Sequence, residues 1–435
     1  MTDGSAGTGA PGATPQWWRP MRLAYGREGL QALLPPDAQV LAPTDLPGLD
    51  DAHRQIVAAV VGALGRVPVE PEGPVAVVFP DLTRPFPHRV VLPAVLEALA
   101  ATGVDDGRIR LLCATGTHRQ ATDAEMRELV GDDLVDRFGV HDHDATDTSA
   151  HVQVGTVDGA PVLVDRAYVE APTRIVTGFV EPHFFAGYSG GPKGVVPGLA
   201  ATTTVLEAHS PARIADPAAT WTVLDGNPVH EFVRAAAALA PPTLSVDVTI
   251  NAARQVTAVF AGPLPGSHRE ACAFVERTSV VHLAEPFDVV VTTNAGHPLD
   301  RNLYQAVKGM SAAERVVREG GEVVCVARCG DGLPDGDFAQ LLGSAATPQE
   351  LLDVPSAQDQ WQVQVLGRVL AHARVGLHST LPDPLVRLAQ LEPVADVTAA
   401  VRDAVRRAGP RVGVLPEGPL TVGVVDAARA GDPMG

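Results

Sequence analysis

Residues 181–198 read EPHFFAGYSGGPKGVVPG, in which Gly187, Gly190, Gly191 and Gly194 surround one amine, Lys193, and an imidazole, His183, stands ten residues upstream. Glycines let a backbone approach a ligand closely and offer bare amide donors. The run is not a nucleoside-triphosphate loop: G-x-x-x-x-G-K-[ST] needs a hydroxyl after the lysine, and Gly194 follows it here. Nor does the run contain the dinucleotide fingerprint G-x-G-x-x-G. What remains is a loop that presents one amine at close range. Lysine amines pair with anions or bond covalently to carbonyl and acyl groups.

Other stretches offer matching chemistry. In PDLTRPFPH, Arg84 provides a planar fork suited to a carboxylate or phosphate, and Asp81 can orient it or a nearby imidazole; the plainer reading is an ion pair in a turn. His118, in ATGTHR, can exchange a proton near neutrality, or simply cap the next helix. His209, in EAHS, is a possible nickel, copper or zinc ligand, but one histidine does not make a metal site unless a cofactor supplies the other donors. In HPLDRNLYQAVKG, Tyr304 and Lys308 share a helical face beside Gln305. HDHD, residues 141–144, resembles a metal cluster, yet alternation along an extended piece turns neighbours to opposite faces.

These groups need a frame, and the pattern supplies an α/β one. The helix-like DDAHRQIVAAVVGALGRV precedes the apolar strand GPVAVVFPD. A helix PHRVVLPAVLEALAATG, a strand RIRLLCATG and a helix with the capping-box start T-D-A-E follow. Alternating strands and helices imply βαβ units and largely parallel sheets, with ligands at the carboxyl ends of the strands. Four such ends, before Asp81, His118, Glu181 and His297, carry polar groups and are expected to converge. A fresh α/β unit starts near His282–Asp288, so the expected division is a disordered tail over 1–20, one domain over 21–283 and a second over 284–435. VLPEGPLTVGVV reads as a final strand before a loose glycine-rich end.

Bulk properties narrow the partners. With 33 basic and 51 acidic residues the net charge is 33 − 51 = −18, which argues against a nucleic-acid or anionic-membrane partner. No run of about 18 apolar residues suggests a membrane span. Cys113, Cys272, Cys325 and Cys329 fit neither zinc-pair nor C-x-x-C spacing. With no signal-peptide pattern at the start, a cytoplasmic setting is expected.

Taken in order, DLTRP, TGTHR, EPHFFAGYSGGPKGVVPG, EAHS and LYQAVKGM make the chain resemble the nickel-pincer lactate racemase family, from Met21 to the C-terminus. The resemblance implies two α/β domains with the active site in the interdomain cleft. It implies a nickel-pincer nucleotide, a pyridinium 3,5-bisthiocarboxylic acid mononucleotide, tethered covalently through Lys193, with His209 on Ni2+ and Gly190, Gly191 and Asp81 around the cofactor. His118 and His183 would be the alternating acid and base, and Arg84, Tyr304, Gln305 and Lys308 would hold the substrate. The implied reaction is racemisation or epimerisation of a small 2-hydroxy acid, lactate or a relative, by hydride removal and return through a 2-keto acid. Cofactor-synthesis enzymes would mature the protein, and Phe184 and Phe185 would shape the pocket. Two alternatives compete: a zinc hydrolase using His118, His183 and His209, and a non-catalytic hydroxy-acid or cofactor binder.

Overall fold

The strand Val75–Pro80 shows how the first sheet is built, since its side chains are buried on both faces. Val75, Val77 and Phe79 face a core with Ile56 and Val60 of helix Ala52–Leu64 and with Val91, Val95 and Leu99 of helix His88–Ala101. Ala76 and Val78 face the opposite core, with Val176, Val195, Leu199, Phe232 and Val233. Period-two alternation with apolar residues on both sides is what a parallel strand covered by two helical layers requires. The computed structural model describes residues 17–67, 69–334 and 336–426.

Two units emerge, Pro43–Val280 with Pro355–Trp361, and the remainder. The first unit carries a six-stranded sheet in the order Val256–Gly262, Leu244–Ile250, Thr173–Phe179, Val75–Pro80, Ile109–Ala114, Val140–Asp142. All neighbours are parallel except the edge hairpin Leu244–Ile250 with Val256–Gly262. The second unit has a six-stranded, all-parallel sheet: Glu392–Pro393, Arg374–His378, Val317–Val326, Phe287–Thr293, Val412–Leu415, Gln39–Val40. Its core gathers Val289, Val291, Val324, Val326, Val401 and Val414.

The fold is thus α/β with largely parallel sheets, and several details differ from the sequence reading. Residues 21–42, expected in the first domain, belong with the second unit: Val40 pairs with Val414, and the strand Arg19–Leu23 pairs with Leu30–Leu34. That pair starts at Arg19, inside the expected tail; residues 1–16 of the tail and the glycine-rich end from 427 lie outside the described residues. The helix expected after Thr122 is two helices, Asp123–Val130 and Asp132–Phe138, because Gly131 at φ +99° turns the chain between them. The capping box is present: Glu125 N–H donates to Thr122 Oγ1 (3.3 Å) and Thr122 N–H to Glu125 Oε2 (2.9 Å). The final strand is two strands, Val412–Leu415 and Val422–Val425. Among the described residues, no helix is long and apolar enough to cross a membrane.

Candidate active site

Three adjacent parallel strands deliver the first group of side chains to one end of the first sheet. Val75–Pro80 leads to Asp81 and Arg84, Ile109–Ala114 to His118, and Thr173–Phe179 to Glu181 and His183. The fourth expected strand end, after Phe287–Thr293, belongs to the other unit's sheet.

Asp81 is fixed by its own turn. Thr83 Oγ1 donates to its Oδ1 (2.8 Å), and the Arg84 N–H donates to its carbonyl (3.2 Å). Its Oδ2 lies 3.0 Å from His118 Nδ1. Burial alone would raise the Asp81 carboxyl, but the His118 charge and hydrogen bond, Arg84 and Thr83 outweigh it and hold it below the usual range. An Nδ1–H directed at a carboxylate leaves the His118 Nε2 lone pair as the acceptor. Arg84 Nη1 stands 3.9 Å from Glu181 Oε1, a loose ion pair.

A second group forms around Phe185. Its ring lies 4.6 Å from the His183 ring and 5.2 Å from the His209 ring, and Lys193 Nζ lies 5.8 Å from its centre. His183 is buried and stacks on Phe184 at 4.8 Å. The Ala186 N–H donates to His183 Nδ1 (3.3 Å), which puts the proton of the neutral ring on Nε2. The two candidate acid–base imidazoles therefore rest in opposite tautomers.

His209 follows helix Thr202–Ala208 directly, and its Nδ1 donates back to the Val205 carbonyl (2.8 Å). Burial, reinforced by the Lys193 charge, lowers its pKa to about 3, so the imidazole is neutral. A neutral ring with Nδ1–H bound to a carbonyl exposes an Nε2 lone pair, the state in which histidine ligates metals. Trp361 lies 4.9 Å from this ring, and the Gln360 amide donates to the His209 carbonyl (3.0 Å).

Lys193 sits in a single 3-10 turn, Gly191–Gly194, whose flanking Val195, Val196 and Leu199 are anchored in the core. Two of its glycines make room for protein. Gly190 has φ +75°, and a Cβ there would stand 2.6 Å from Asp247 Oδ1; Gly191 has φ +51°, and a Cβ there would stand 2.4 Å from His268 Cγ. The fully buried Asp247 accepts from the Gly191 N–H (2.9 Å) and Ser245 Oγ (2.8 Å), and His268 Nε2 lies 2.9 Å from the Ser189 carbonyl. Asp247 and His268 thus lock the turn from behind.

Neither residue is singled out by motif. The usable signal is the lone acid inside the apolar strand LSVDVTI, because an acid buried there requires dedicated partners. Glu181 lies inside the glycine motif itself.

Tyr304, Gln305 and Lys308 belong to helix Leu303–Glu314 of the second unit, where the Asn302 side chain caps the Gln305 N–H (3.0 Å) and the Tyr304 ring meets Phe338 at 5.6 Å. In HDHD, the neighbours alternate as expected, which puts His141 and His143 together. Two positions apart, they fall on one side, and both reach Asp165 Oδ2, at 2.8 and 2.9 Å. Among the described residues no group of three or more His, Cys, Asp or Glu side chains is placed to hold a metal, so the three-histidine zinc alternative finds no donor set there.

Comparison with known proteins settles the affiliation. Residues 25–222 match the Lactate racemase N-terminal domain, and residues 283–425 match the Lactate racemase C-terminal domain. The lactate racemase of Lactiplantibacillus plantarum is 35 % identical over 79 % of this chain and 83 % of its own length. This chain belongs to the lactate racemase family. As a member it is an isomerase, and the motif resemblance read from DLTRP to LYQAVKGM agrees. The lactate racemase of Thermoanaerobacterium thermosaccharolyticum is 34 % identical over 69 % of this chain and 72 % of its own length. The solved lactate racemase apoprotein from that organism superposes with a TM-score of 0.84 at 28 % identity, covering 93 % of this chain and all (100 %) of the other. A Thermotoga maritima protein shares the fold at a TM-score of 0.69 and 17 % identity, covering 87 % of this chain and all (100 %) of the other.

Proposed function

We propose that this chain racemises a small 2-hydroxy acid, lactate or a near relative, with a nickel-pincer nucleotide joined to Lys193. The observation that carries the reading is the gathering of His183, His209 and Lys193 around Phe185, joined through Glu181 to Arg84, Asp81 and His118.

The donor set fits such a group. Lys193 offers an amine on a turn locked from behind. His209 offers one neutral nitrogen, which suffices where a cofactor brings the remaining donors. When bound, the group supplies an acceptor that can take a hydride and return it.

The chain's own residues do the rest. Arg84 grips the substrate carboxylate with its planar fork. His118 Nε2 takes the hydroxyl proton from one enantiomer, with Asp81 holding the ring proton on Nδ1. His183 serves the mirror image from the other side, and opposite resting tautomers suit a pair that exchanges roles. Phe184 and Phe185 wall the site against water. Tyr304, Gln305 and Lys308 are assigned to substrate, and Gly190 and Gly191 to the close approach of the backbone to the cofactor. Maturation by cofactor-synthesis enzymes and a cytoplasmic setting belong to the same proposal.

Co-expression with cofactor-synthesis enzymes and nickel tests it, by following the loss of optical purity in a panel of chiral 2-hydroxy acids. Intact mass should show an adduct that Lys193→Ala lacks, and His118→Ala and His183→Ala should each suppress interconversion. Protein free of nickel and adduct after that maturation, or full activity in Lys193→Ala, defeats the reading.

A further inference from the structure

Helix Pro228–Leu239 of the first unit carries His230 and Arg234 one turn apart, on one face. That face lines a cavity of about 120 Å³, walled by Pro192, Ala237 and Pro241 and reached by His268 and Arg269. Arg84, His118, His183 and His209 do not line it.

Two features distinguish the cavity. His230 is 5 % exposed, and its ring nitrogens have no hydrogen-bond partner among the described residues. Arg234 likewise has no ion pair or hydrogen bond among them. Arg234 is exposed and hydrated, so the group that calls for an explanation is the largely buried His230 imidazole beside it.

The surroundings are cationic, although the whole chain carries −18. Besides burial, His268, Lys193, Arg234 and Arg269 all act to keep His230 uncharged. The His268 ring stacks at 6.1 Å. Among neighbouring acids, Asp225 is taken up by Arg269 at 2.5 and 3.2 Å, and Asp247 is engaged by Gly191 and Ser245. An imidazole and a guanidinium on one face, among further cations, suit an anion. Its shape follows from the walls. At roughly 30 Å³ for each water-sized group, the cavity holds about four such groups. Its proline and alanine walls suit carbon better than a fully oxygenated ion.

We propose that this cavity binds a short aliphatic monocarboxylate, with the carboxylate held by His230 and Arg234 and the tail against Pro192, Ala237 and Pro241. The ligand would neutralise a cluster whose charge already reaches Lys193. The site does not depend on Lys193 bearing an adduct.

Titration of the full-length protein, labelled at histidine, with propionate tests this by magnetic resonance. The His230 ring signal, assigned by its loss in His230→Gln, should move and saturate in the millimolar range. Arg234→Gln should weaken binding about tenfold, whereas Arg84→Ala should leave the titration unchanged. Inorganic phosphate should bind far more weakly than propionate. The proposal falls if the His230 signal is indifferent to propionate, if Arg234→Gln binds as well as the parent, if phosphate binds as tightly, or if Arg84→Ala abolishes the effect. Should His230→Gln fail to fold, comparing the parent with Arg234→Gln, altered at an exposed position, still decides.

Discussion

Replacing Gly191 with alanine tests how the candidate tether is held. The new Cβ would lie 2.4, 2.5 and 2.9 Å from Cγ, Cδ2 and Cβ of His268, and the backbone would have to keep φ +51°. The left-handed backbone costs about 1–2 kcal/mol with a Cβ present. His268 cannot easily retreat: it is buried, and its Nε2 is engaged by the Ser189 carbonyl at 2.9 Å. Overpacking a rigid neighbour adds about 1–3 kcal/mol. The sum is about 2–5 kcal/mol, which for a unit of this size lowers the unfolding midpoint by roughly 4–20 °C. Thermal and urea unfolding measure it. The decisive version is a double-mutant cycle with His268→Ala, in which the combined cost should fall short of the sum by at least about 1 kcal/mol. Gly191→Ala within about 0.5 kcal/mol of the parent, or strict additivity with His268→Ala, refutes the idea that His268 locks this turn.

Asp81→Asn keeps the volume but removes the charge facing His118; racemisation by cofactor-loaded enzyme should fall about a hundredfold or more, with little change in unfolding midpoint, and near-parental turnover would exclude Asp81 from orienting His118. Asp165→Asn should cost stability in a pH-dependent way. Burial would raise the Asp165 carboxyl, but the hydrogen bonds from His141 and His143 outweigh it and hold it far below its ordinary value, while the bond to Asp165 raises His141. The depressed carboxyl contributes above the ordinary carboxylate value and loses that contribution as pH falls; the raised imidazole contributes below its ordinary value and loses it as pH rises. The gap in unfolding midpoint between parent and variant should therefore be widest between about pH 4 and 6.5 and narrow on both sides; a gap that does not vary with pH rules this out.

The sequence alone marked the central strands, because apolar runs such as VAVVF and FDVVV, between helix-like segments, fit a parallel sheet covered on both faces. It also marked the candidate motifs, since an arginine, histidines and a lysine among glycines follow strand ends, where side chains are free to meet a ligand. Tertiary structure decided everything that depends on contacts distant in sequence. Val40 joins a strand beside Val414, and no local pattern announces a pairing across so long a stretch of chain. The four polar strand ends divide three to one between two sheets, because sheet membership is settled by strand order rather than by any strand's composition. His118 reaches Asp81 and Phe185 gathers His183, His209 and Lys193 only once neighbouring strands are in register. Asp247 and His268 explain Gly190 and Gly191 from outside the motif, since the room a glycine leaves is defined by whichever residues the folded chain brings against it.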